Sequence, residues 1–116
     1  MGAAGAATTG GSNIAIGTSA LASNTTGSTN VAIGQDSLYY STTAVHNVAV
    51  GHNAMVANTT GGYNTALGSF AADANTTASY NTAVGYQSLT SNTTGEFNTG
   101  VGTFAGSYIT LSLIHI

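Results

Sequence analysis

The sequence predicts an all-β fold, a parallel β-solenoid, on three observations. The phrase Asn, any residue, a small residue, an aliphatic residue and Gly occurs at Asn13, Asn30, Asn47, Asn64, Asn81 and Asn98, always 17 residues apart and without insertion or deletion. Self-similarity at one fixed period is the mark of an architecture built by stacking identical units. Between the phrases stands turn chemistry, "NTTG" at Asn24, Asn58 and Asn92, "NTTA" at Asn75 and "STTA" at Ser41, and such clusters of Asn, Thr and Gly separate short extended segments. No stretch shows the i, i+3, i+4, i+7 apolar spacing of a helix, and the residues that dominate the chain are poor helix formers.

Numbered from its Asn, each unit divides into parts with distinct roles. Position 4 carries Ile16, Ile33, Val50, Leu67, Val84 and Val101, preceded by Ala or Gly at position 3, and is expected to form the ladder of the core. Position 5 is always glycine, at Gly17, Gly34, Gly51, Gly68, Gly85 and Gly102, which supplies either a positive φ or room for a close backbone approach. A second apolar point falls at position 9, with Leu21, Leu38, Met55, Ala72 and Leu89. A coil then reads as strand, turn, strand, turn, and parallel stacking places equivalent positions in columns roughly 4.8 Å apart. In such columns Asn13, Asn30, Asn47, Asn64, Asn81 and Asn98 become an amide ladder, each side chain bonded to those above and below. About six coils occupy residues 8–106, with 1–7 as an N-terminal extension and 107–116 as a tail in which the register stops. "LSLIHI" at Leu111 to Ile116 resembles the translated end of a sequencing adapter, which favours a truncation scar over a capping strand.

Composition narrows function by exclusion. Lys and Arg are absent, and Asp36, Asp73 and Glu96 are the only acids, giving a formal charge of −3. Nothing is therefore available to neutralise phosphates, so neither nucleic acid nor an anionic membrane surface is an expected partner. Cysteine is absent, which removes disulfides and thiolate metal sites. No apolar run is long enough for a membrane-spanning helix, and the first residues lack the basic and apolar regions of a secretory signal. The hydrophobic share of 42% argues against disorder. With only two apolar points in each coil, a single chain has a thin core, so self-association is expected. Position 17 runs Ser12, Thr29, His46, Tyr63, Tyr80 and Phe97; the stripe Tyr63, Tyr80, Phe97 reads as an interface or a glycan-stacking surface.

The "AIG" and "AVG" cores followed by an Ala/Ser-Leu point resemble the head repeats of trimeric autotransporter adhesins, the YadA-like left-handed parallel β-roll. Similar "NTAVGYQSL" and "NTTG" arrays occur in phage tail fibres. The resemblance covers about Thr8 to Ala105. It implies a left-handed β-roll that forms a homotrimer, position-4 aliphatics that point inward, and a turn at the position-5 glycine. The function it implies is that of an extracellular fibre segment, an adhesin head or shaft on a bacterial surface that attaches to a host protein, matrix or glycan. A virion tail fibre projecting receptor binding is the alternative. The 17-residue unit is longer than the commonest head repeats.

Sharper chemistry is weakly supported. The "NTT" triplets fit the N-glycosylation sequon, but all recur on one turn, which favours a structural role. His46 and His52 suggest a metal pair, yet no third ligand recurs beside them, so no metal or other cofactor is expected. Asp36, Asp73 and Glu96 occupy positions 7, 10 and 16 and do not pair for acid–base work, so no catalytic residue is assigned and an enzyme is not expected. The paired threonines, from Thr8-Thr9 to Thr93-Thr94, raise a remote ice-binding reading, weakened because adjacent extended residues face opposite sides.

Overall fold

The computed structural model describes residues 9–110; the proposed N-terminal extension and the adapter-like stretch at 111–116 lie outside them. Six three-residue strands, β1 (Ile14–Ile16), β2 (Val31–Ile33), β3 (Val48–Val50), β4 (Thr65–Leu67), β5 (Thr82–Val84) and β6 (Thr99–Val101), form one parallel sheet in sequence order. Each residue pairs with its equivalent 17 residues on, as Ile14 with Val31 and Val84 with Val101. The fold is thus an all-β parallel solenoid of about five turns with no helix among the described residues, and it extends over 37 × 21 × 17 Å.

The core is lined differently from expectation. Within one chain the position-4 residues point outward: Ile16 is 59% exposed, Val101 58% and Leu67 37%, while Ile33, Val50 and Val84 are half-buried. The inward strand residue is at position 3, where Ala32, Ala49, Ala66 and Ala83 are completely buried. They pack against the opposite wall of the coil, made by Ala20, Ala54 and Ala71 of position 8 and by Leu21, Leu38, Met55 and Leu89 of position 9. A 17-residue ring has a narrow lumen; it accepts one Leu or Met per coil only if the facing positions are Ala, Ser or Gly. Alternation along the strand then sends positions 2 and 4 to the outside. Where position 8 is Ser, its hydroxyl is satisfied inside, Ser37 Oγ donating to the Ala49 carbonyl at 3.0 Å and Ser88 Oγ to that of Gly100 at 2.9 Å.

The second strand expected around position 9 is not formed. That side of the coil is a series of turns in which backbone N–H groups alternate in direction. Those at positions 8, 10 and 12 close turns within the coil, as in Ala54 to Gly51, Val56 to Asn53 and Asn58 to Met55. Those at positions 9 and 11 reach the next coil, as in Met55 to Ala71 and Ala57 to Asp73. This alternation needs left-handed backbone at position 9, where Leu21, Leu38, Met55, Ala72 and Leu89 have φ of 49 to 56°. Leucine does not favour that region; burial in the lumen and inter-coil bonding hold it there. At position 5 glycine meets both expected demands: Gly68 has φ +135°, and a Cβ there would lie 2.7 Å from the Gly85 carbonyl.

Candidate functional site

The Asn ladder fixes the rungs. Oδ1 of each of the first five position-1 asparagines accepts the backbone N–H of the next, as Asn13 from Asn30 at 2.9 Å, Asn47 from Asn64 at 3.0 Å and Asn81 from Asn98 at 2.9 Å. Nδ2 of Asn13, Asn30, Asn47, Asn64 and Asn81 donates to the position-15 carbonyl of its own coil at 2.8 Å. Direct amide-to-amide bonds of 3.2 Å join Asn30 to Asn13 and Asn47 to Asn30. The principal bonds therefore run to backbone rather than between side chains. Only Asn combines a donor and an acceptor at this reach: Asp would lack the donor and bury a charge. The sequon asparagines form a second buried column on the same carbonyls, Asn58 Nδ2 donating to Gly61 and Asn92 Nδ2 to Gly95.

The threonine pair is divided between two jobs. Hydroxyls at position 13 donate to the carbonyl one coil on, Thr25 to Thr42 at 3.1 Å and Thr59 to Thr76 at 3.1 Å. Thr26, Thr43, Thr60, Thr77 and Thr94 of position 14 are exposed. A two-column array of free hydroxyls, the basis of the ice-binding reading, is not presented.

The outward sheet face is apolar along all of column 4 and, in its first half, along column 2 as well. Column 2 (Ile14, Val31, Val48, then threonines) and column 4 (Ile16 to Val101) run its length. At one edge His46, Tyr63, Tyr80 and Phe97 form a parallel stack, with centroids 4.9, 5.2 and 5.1 Å apart and rings within 18° of parallel. At the other edge His52, Phe70, Tyr86 and Phe104 alternate edge-to-face at 5.2, 6.3 and 5.6 Å. The two histidines of the imagined metal pair therefore belong to different aromatic columns, and among the described residues no group of three His, Cys, Asp or Glu side chains is placed to hold a metal ion. Stacking on both sides covers the ring faces of Tyr63 and Tyr80, so these two offer edges and hydroxyls rather than a platform for a sugar. Residue-type reading missed column 2 and the 6/7 aromatic column; the aromatics at His52, Phe70, Tyr86 and Phe104 alternate between two positions and so leave no single-column signal. Compared with known proteins, the chain matches no family model, no curated protein and no solved structure.

Proposed function

We propose that this chain is a non-enzymatic segment of a surface fibre, an adhesin head or shaft, that associates as a homotrimer and serves attachment to a host surface protein or glycan outside the cell. The observation that carries the reading is the outward aliphatic column flanked by two aromatic columns. A lone solenoid leaves Ile16, Leu67 and Val101 in water along one straight face, and contiguous exposed apolar surface of this kind marks an association site. Parallel copies meeting through that face would bury the same column along their whole length, which gives a stiff rod whose other sides are free to vary. The repeat specifies scaffold, while residues at the variable positions 6, 7, 10, 11, 16 and 17 supply recognition.

The reading is tested with labelled protein on host cells and on immobilised matrix proteins. Saturable attachment by an assembled species supports it; absence of saturable attachment contradicts it. A tail-fibre parent, the alternative, is separated by flanking coding sequence: an outer-membrane anchor in one case, tail-assembly genes in the other.

A further inference from the structure

Coil 2 departs from the repeat at one place on its surface. Positions 10 and 11 hold Tyr39 and Tyr40, where the other coils carry Ala22-Ser23, Val56-Ala57, Asp73-Ala74, Thr90-Ser91 and Ser107-Tyr108, so that coil 2 has rings at both positions. The backbone is undisturbed: Tyr40 N–H still donates to Val56 at 3.2 Å, and Tyr39 still accepts from Ser23 at 3.1 Å. Rung stacking therefore does not require these rings, and neither belongs to an aromatic column. Tyr40 is 55% exposed and meets Tyr39 edge-to-face at 4.7 Å and 73°. The two rings, with Asp36, Asn53 and Val56, line an open groove of about 290 Å³.

We propose that this groove binds a neutral sugar ring of a glycan, a reading that rests on the chain being an attachment fibre and names the ligand class it takes. An exposed tyrosine ring offers a flat apolar surface to the C–H face of a pyranose, with aromatic packing geometry as the restraint. Asp36 and Asn53 occupy the same repeat position in successive coils, one rung or roughly 4.8 Å apart. One supplies an acceptor and the other an amide with both donor and acceptor, a pair suited to adjacent sugar hydroxyls. Asp36 already accepts from Gln35 Nε2 at 3.1 Å through Oδ2, which leaves Oδ1 for a ligand. A carboxylate in a chain with no Lys or Arg disfavours anionic sugars. A cage for an ammonium group is disfavoured because the edge-to-face contact at 4.7 Å sets an edge of one ring against the face of the other, where the cation would sit. A shallow site with few polar groups and an aromatic wall fits a small ligand held by orientation rather than depth.

The test is saturation-transfer difference NMR on the full chain with methyl glycosides of glucose, galactose, mannose and N-acetylglucosamine. At least one is expected to receive saturation on the protons of one ring face. Tyr40→Ala should weaken that binding by about tenfold and Asp36→Asn by several-fold, with the circular dichroism spectrum unchanged; Thr94→Ala, at an exposed turn position outside the groove, should leave it intact. No transfer to any glycoside, transfer that survives Tyr40→Ala, or displacement of the glycoside by tetramethylammonium overturns the proposal. Assembly is scored separately by mass: an assembled chain that binds no sugar refutes this site alone, and a monomer that binds sugar refutes the fibre reading alone.

Discussion

Replacing Asn47 tests how the rungs are held. Its Nδ2 donates to the Gly61 carbonyl at 2.8 Å and to Asn30 Oδ1 at 3.2 Å, and its Oδ1 accepts Asn64 N–H at 3.0 Å, all at a completely buried site. In Asn47→Ala the Gly61 carbonyl keeps Asn58 Nδ2, and Asn30 Oδ1 keeps the backbone N–H of residue 47. The Asn64 N–H, however, loses its acceptor. One orphaned buried donor costs about 1–3 kcal/mol and each of the two other lost bonds about 1 kcal/mol, so the variant should lose about 3–5 kcal/mol. That is a large part of the stability of a small domain. Asn47→Asp separates the hydrogen-bond account from simple loss of volume. Its carboxylate can still accept from Asn64 but faces the Gly61 carbonyl without a proton, so burial and that oxygen raise its folded pKa above the unfolded value. Its stability relative to the parent should therefore be best below the unfolded carboxyl pKa of about 3.9 and fall as pH rises through the folded value. Urea unfolding at fixed protein concentration, followed by circular dichroism across pH, reads both. A loss below about 1 kcal/mol for Asn47→Ala, or an Asn47→Asp variant that is least stable in acid, refutes the reasoning.

Three further outcomes follow from single positions. Ser41 replaces the sequon asparagine in coil 2 and buries a hydroxyl with no hydrogen-bond partner; Ser41→Asn, which can donate to the Ala44 carbonyl as Asn75 does to Ala78 at 3.2 Å, should gain about 1 kcal/mol in the same unfolding assay. Gly68→Ala places a Cβ 2.7 Å from the Gly85 carbonyl at φ +135°, and should lower the thermal midpoint by many degrees, whereas Gly11→Ala, which meets nothing within 4 Å, should leave it nearly unchanged. Asn58 and Asn92 are fully buried with Nδ2 bonded to Gly61 and Gly95, so chain folded before exposure to a glycosylating extract should keep its unmodified mass, while unfolded chain should accept glycan.

The period and the stacking were legible because the 17-residue spacing survives in every unit, and the rung bonds demand that register. The inside and outside of the strand were not. A three-residue strand such as Ala49 between Val48 and Val50 has an inward and an outward face, and choosing the larger residue for the core gave the reverse of the structure. The signal lay in constancy of size: position 3 stays Ala or Gly while position 4 changes among Ile, Val and Leu, as expected when position 3 faces a lumen of fixed width. The left-handed residues at position 9 were hidden for another reason. Leu21 or Met55 carries no preference for positive φ; only the alternating turn and inter-coil bonds impose it. At the candidate site, the stripe Tyr63, Tyr80, Phe97 was visible as a column, but whether its ring faces were open depended on ring tilt, 7° and 2° in the structure, which repeat spacing does not set.

Sedimentation equilibrium of the full chain tests the central claim most directly, because the outward column either joins copies or stays in water. The account predicts three times the 11.4 kDa chain mass, reduced to a folded single chain by Val50→Asp, which places a charge in the middle of that face. A parent protein that sediments as one chain at all concentrations would contradict it, as would an assembly that Val50→Asp leaves intact.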